Sequence, residues 1–147
     1  QAHAGELAAF HAYQGHWLSV SNPDQRKNLM QIQLEEQDHI NQVRIMLSKL
    51  NSQPSKLRDL LFIIIGKTAG FLCHWTGWTL PMKGARFIEN IGATNYNTMA
   101  LKAGAMGHNI MRDQLKIMAK VEEKHEKYFK DLLDKDNSKK PNQFRLK

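Results

Sequence analysis

The chain has 147 residues, enough for one domain with a sizeable core, and its hydrophobic content of 41% is too high for a disordered segment. Twenty-one Lys and Arg against 14 Asp and Glu give a net charge of +7, which favours contact with anionic surfaces, either phospholipid or nucleic acid. The single cysteine, Cys73, excludes an intramolecular disulfide and fits a reducing compartment.

No run shows period-two alternation, so the chain reads as all-α. A first helix is expected over Ala4 to Val20. Asn22 then caps a second helix, with Pro23 in its first turn, running to about Leu50. The stretch "NSQPSK" breaks it. An apolar segment follows, Leu57 to Leu80, where a four-helix bundle would carry its long crossover. Pro81 and Gly84 bracket a third principal helix over about Ala85 to Ala103, and a fourth spans about His108 to Asp134. Residues 1–135 are expected to form one bundle domain, with 57–81 as its apolar segment and 136–147 as a flexible basic tail. The chain opens at Gln1 instead of methionine, so a preceding targeting segment stays open.

The helical registers carry the chemistry. At heptad spacing the second helix gives Leu29, Ile32, Glu36, His39, Val43, Met46 and Leu50. The fourth gives Met111, Leu115, Met118, Glu122, His125, Phe129 and Leu132. In each, one Glu and one His, three residues apart, interrupt an otherwise apolar seam and point the same way. The first helix carries Glu6 with Phe10, Tyr13, Trp17 and Val20. The third carries Glu89 with Ala85, Gly92, Tyr96, Met99 and Ala103. Glu6 and Glu36 lie 30 positions apart, and Glu89 and Glu122 lie 33 apart, so a two-helix unit recurs.

Four carboxylates on core-facing seams repel one another and lose hydration. They must protonate, meet buried cations or bind metal, and the seams carry no Lys or Arg. Two divalent metals bring four positive charges. One Glu from each of two helices plus Glu-x-x-His from each of two others is the ligand arrangement of di-iron and di-manganese carboxylate bundles. The candidate metal ligands are therefore Glu6, Glu36, His39, Glu89, Glu122 and His125. A lone Glu-x-x-His is usually a solvated helix face. Two copies on apolar seams, each preceded by a seam glutamate, are far more specific.

The remaining polar residues have plainer readings. His11, His16 and His108 fall off the seams, as surface or supporting groups. His3 precedes Glu6 by three, beyond the expected helix start. His74 belongs to the apolar segment. Glu35 is placed to orient a histidine on another helix, although Val121 stands at the equivalent place in the second copy. Cys73 is a small buried or lipid-facing hydrophobe. Gly92, Ala93 and Ala103 either leave room for a ring or allow close helix packing.

The ordered motifs resemble the demethoxyubiquinone hydroxylase family of ubiquinone biosynthesis over about Ala2 to Tyr128. The resemblance lies in His3-Ala4-Gly5-Glu6, Tyr13-Gln14-Gly15, Glu36-Gln37-Asp38-His39, the run "GWTLPMKGARFIEN" leading to Glu89, and Glu122-Glu123-Lys124-His125. It departs at Asn90, where the family commonly has a second glutamate, and at Asn95, where the family has a histidine before the tyrosine. Asn95 does not relay protons as an imidazole does. The resemblance implies a ferritin-like four-helix bundle and two iron ions. It also implies a monooxygenase that uses dioxygen and an external reductant to hydroxylate the ring of a prenylated quinone precursor. Tyr96 is then the expected catalytic side chain beside the ligands. The ligand types alone leave manganese open.

Residues Leu60 to Pro81 contain one full charge, Lys67, and two tryptophans, Trp75 and Trp78. Gly66, Lys67 and Gly70 interrupt a membrane span. The expectation is a segment lying in the membrane interface, with a crossover helix as the alternative. That places the protein peripherally on a membrane facing a reducing compartment, either a bacterial cytoplasmic face or the matrix side of the mitochondrial inner membrane. A homo-oligomer or an accessory lipid-binding protein is an expected partner; nucleic acid is not. The rival functions are a ferritin-like iron oxidase or store, and a non-catalytic lipid-binding bundle.

Overall fold

The computed structural model describes residues 1–139. Every regular element among them is helical: α1 (Ala2–Ser19), α2 (Pro23–Lys49), α3 (Lys56–Leu72), α4 (Thr79–Ala105) and α5 (Asn109–Lys139). The fold class is all-α, in keeping with a ferritin-like helical bundle. The chain forms two compact units, Gln1–Pro81 and Met82–Lys147.

In the first unit α1 packs against both α2 and α3. Asn22 caps α2 as its side chain accepts the Gln25 amide at 3.0 Å, and Pro23 occupies the first turn, where no amide hydrogen is needed. Asn51 ends α2 in the left-handed region at φ 51°. The amides of Asn51 and Ser52 then bond back to Ser48 and Leu47 at 3.0 and 2.9 Å, closing the orphan carbonyls of the last turn. Trp17 Nε1 donates to Gln33 at 2.7 Å, tying α1 to α2. The contact of α1 with α3 is backbone on backbone. A Cβ at Gly66 would strike Ala8, and one at Gly15 would strike Gly70. Gly66 and Gly70 thus mark a helix crossing.

The apolar segment divides. α3 stops at Leu72, and a turn with Gly77 at φ 74° leads to α4. α4 starts at Thr79, before the expected Ala85. Pro81 sits in its first turn, where the ring displaces no intrahelical bond, and Gly84 is simply absorbed. No described helix is long and apolar enough to cross a membrane. One face of α3 nevertheless exposes Leu57, Leu60, Leu61, Ile64, Ile65, Phe71 and Leu72.

In the second unit Gly107, at φ 79°, closes α4. The amides of Gly107 and His108 bond back to Gly104 and Ala103 at 3.0 and 2.9 Å. α5 then runs on to Lys139, so residues 136–139 are helical where a tail was expected. The rest of that expected tail, 140–147, lies outside the described residues.

The buried stripes follow the predicted registers closely. α2 buries Leu29, Ile32, Glu36, His39, Ile40 and Val43, and α4 buries Met82, Glu89, Ala93, Tyr96, Ala100 and Ala103. On α5 the seam passes from Phe129 to Leu133, with Leu132 half-buried. A straight helix at 3.6 residues per turn drifts off a strict heptad in this way.

Candidate metal centre

Each unit assembles one half of the predicted ligand set. In the first, α1 brings Glu6 and α2 brings Glu36 and His39. Their nearest ligand atoms all lie within 4.8 Å of one another. His39 Nδ1 sits 3.6 Å from Glu6 Oε2 and 3.9 Å from Glu36 Oε2. In the second, α4 brings Glu89 and α5 brings Glu122 and His125, again within 4.8 Å. His125 Nδ1 lies 3.2 Å from Glu89 Oε2. The same ring nitrogen faces the single-helix glutamate in both halves.

All six side chains are buried, from Glu36 and Glu89 at 1% exposure to Glu6 at 7%. Among the described residues, the buried charged and titratable groups are four glutamates and four histidines, with no Lys or Arg. Among these residues no Lys or Arg is buried beside the carboxylates, and removing carboxylates from water costs several kcal/mol. The donor set, two carboxylates and an imidazole per half, fits a divalent metal of the iron, manganese or zinc type in each.

Polar ties hold α4 and α5 in register around their half. Arg86, three residues before Glu89, donates to Glu126 at 2.6 Å, next to His125. Asn97 donates to Glu123 at 3.4 Å, next to Glu122. Tyr96 is buried at 1%, two turns beyond Glu89 on the same stripe of α4. Asn90 and Asn95 are exposed.

Two histidines matter more than their sequence positions suggested. α1 begins at Ala2, so His3 is helical and 4% exposed. Its Nδ1 meets Asp59 of α3 at 3.1 Å and its Nε2 meets Arg44 of α2 at 3.4 Å. With Arg44 donating to Nε2, Nδ1 carries the proton that Asp59 accepts. His3 thereby joins three helices, one turn from Glu6. The signal was available in its spacing of three from Glu6. His16, also 4% exposed, stacks on Tyr13 with ring centroids 6.2 Å apart. Burial lowers its pKa to about 4.

The other singled-out residues lie apart. His11 is half-buried, its pKa lowered by burial and then by nearby Lys67. His74 and His108 are exposed in turns. Glu35 is half-buried and accepts from Gln31 at 3.0 Å. Cys73 is half-buried, donates to the Ala69 carbonyl at 3.3 Å, and has its thiol pKa raised by burial.

A family model described as ubiquinone biosynthesis protein COQ7 matches residues 2–100. The match takes in Glu6, Glu36, His39 and Glu89, whereas Glu122 and His125 lie beyond it. No curated protein and no solved structure matches the chain.

Proposed function

The chain belongs to the COQ7 family of ubiquinone biosynthesis proteins, and from that premise we propose that it is a di-iron monooxygenase acting on a prenylated quinone precursor of the demethoxyubiquinone type. The observation that carries this is the repeated half-site, a Glu facing Nδ1 of a Glu-x-x-His, buried twice with no buried Lys or Arg among the described residues.

Glu6, Glu36 and His39 would hold one part of the centre, and Glu89, Glu122 and His125 the other. When bound, the two irons with dioxygen and an external reductant supply the chemistry that places one oxygen atom on the ring and releases the other as water. The chain's own contribution is positional. Bound metals would supply the positive charge that offsets the water these carboxylates lose on burial. Each imidazole would offer a bare ring nitrogen to its metal, and Nδ1 is the one that faces the single-helix glutamate. The apolar seams around the ligands exclude water, which strengthens every interaction with the centre. Tyr96, buried two turns beyond Glu89, is the catalytic side chain this reading takes beside the ligands.

The exposed apolar face of α3 supports peripheral membrane contact. A prenylated substrate dissolves in the bilayer, and Leu57, Leu60, Leu61, Ile64 and Ile65 form a stripe suited to the acyl boundary. Lys56, Arg58 and Lys67 on the same helix suit anionic headgroups.

The test is anaerobic ferrous titration followed by product identification from a demethoxy-quinone with reductant and dioxygen. Two irons per chain and a hydroxylated ring are expected. Stoichiometry far below two, or full activity in Glu36→Ala, overturns the proposal.

A further inference from the structure

Gly92 sits in the interior of α4, where glycine is the poorest residue for a helix after proline. Its backbone does not demand glycine, since the positive-φ glycines are Gly77 and Gly107. What surrounds it does. A Cβ at this position would lie 3.0 Å from Glu122 Oε2, 3.1 Å from its Cδ and 3.4 Å from its Cγ. The carboxylate from α5 therefore rests in unusually tight contact with the place where the first carbon of any other side chain would be.

Its neighbours sharpen the contrast. Gly84, on the same helix, faces open space, and Gly15, Gly66 and Gly70 meet backbone at a helix crossing. Among the described glycines, only Gly92 has a carboxylate pressed against the place of its missing Cβ. Gly92 also lies three residues after Glu89, on the same face of α4. The equivalent position in the first half, three after Glu6, is Ala9. The two halves thus differ by one methyl group at matched places.

We propose that Gly92 is a positioning residue for the metal centre: by lacking a Cβ it forms the slot that sets Glu122 Oε2 against α4, alongside Glu89 and His125. The assignment rests on Glu122 being a metal ligand. A methyl group at 92 pushes the flexible carboxylate aside by a few tenths of an ångström and leaves the packing of α4 unchanged.

The test compares Gly92→Ala, Gly84→Ala, Glu122→Ala and the double variant Gly92→Ala/Glu122→Ala with the parent chain. Each apoprotein is melted, then titrated anaerobically with ferrous iron, and separately with cobalt(II) to follow its visible absorption. Gly92→Ala is expected to melt no lower than the parent as apoprotein. Its metal affinity should fall about 10–100-fold, as for loss of a group that orients a ligand, with an altered cobalt spectrum. Gly84→Ala should bind like the parent. In the Glu122→Ala background, Gly92→Ala should have no further effect on affinity.

Unchanged affinity in Gly92→Ala, with a parent chain that binds two irons, overturns this assignment alone. So does an equal further loss in the Glu122→Ala background, or an unfolded Gly92→Ala apoprotein, because the clash would then be one of helix packing. A parent chain that binds no metal overturns both this assignment and the ligand roles beneath it.

Discussion

Nδ1 of His125 on α5 lies 3.2 Å from Oε2 of Glu89 on α4, and neither side chain is more than 2% exposed. A hydrogen bond at that distance needs a proton on Nδ1, while a metal needs the same atom bare. Metal binding there must therefore move that proton off Nδ1: a neutral ring shifts it to Nε2 with no net release, whereas a ring protonated at both nitrogens must give one up, so acid competes with metal. Ferrous titrations at pH 7 and at pH 5.5 should show weaker binding at the lower pH. Equal affinity at both pH values would count against the imidazole as a ligand.

Replacing Glu89 by Gln keeps the shape and a hydrogen-bond partner for His125 but removes a buried negative charge. The apoprotein should be as stable as the parent or more so, because repulsion and desolvation both decrease. The stabilisation conferred by metal should vanish. For the parent that gain is about 2.7 kcal/mol per site at a metal concentration 100-fold above Kd. Denaturant unfolding with and without ferrous iron measures both terms. A Glu89→Gln chain that gains as much from metal as the parent would remove Glu89 from the ligand set.

The buried Glu and His set was legible in the sequence because burial at helical spacing leaves a plain signature. Glu36, His39, Glu122 and His125 interrupt apolar seams that the structure buries. Less legible was what a glycine does. Gly66 and Gly70 look like breaks in an apolar run, but they are where α3 meets the α1 backbone. Gly84 looks like a helix boundary, yet α4 runs through it, since one glycine costs only about 1 kcal/mol against the packing of a 27-residue helix. His3 fell outside the expected helix by one residue, and helix ends are set by capping and tertiary contacts such as Asp59 and Arg44. His16 lies off the heptad stripe of α1, and only packing decides that it is buried.

That helix crossing should be intolerant. Gly70→Ala and Gly66→Ala each place a methyl group against backbone, which has no rotamer to yield. Each should destabilise the protein by about 1–3 kcal/mol or more. Gly84→Ala, facing open space, should instead stabilise it by up to about 1 kcal/mol through helix propensity. Thermal melts of the three variants settle the ordering, and equal melts would mean that α1 and α3 are not in backbone contact.

His16 gives the fold a pH dependence of definite sign. Its folded pKa is about 4, below the ordinary 6.5, because burial disfavours the imidazolium. The unfolded chain therefore binds the proton first. The stability conferred by burying a neutral His16 is complete above pH 6.5, drains as pH falls towards 4, and is gone below that. The full drop is on the order of 3 kcal/mol. His11 is shifted in the same direction. Urea unfolding at pH 7.5, 5.5 and 4.5 should show the decline, and His16→Phe should flatten it. An unchanged slope in His16→Phe would assign the decline to other groups.

The α3 face separates membrane contact from folding. Leu61 and Ile64 are each 54% exposed, so charging them leaves the core untouched. A Leu61→Glu/Ile64→Glu chain should melt within about 0.5 kcal/mol of the parent, as surface changes do. On vesicles of mixed zwitterionic and anionic lipid, the parent should co-sediment, and raised salt should weaken it, since Lys56, Arg58 and Lys67 add an electrostatic component. The double variant loses the burial of two large aliphatic side chains, about 1.5–3 kcal/mol each, and should bind at least tenfold more weakly. Hydroxylation of a quinone presented in those vesicles should fall with it, while turnover of a short-chain quinone in detergent should not. Vesicle binding that is unaffected by the two charges would move the membrane contact off α3.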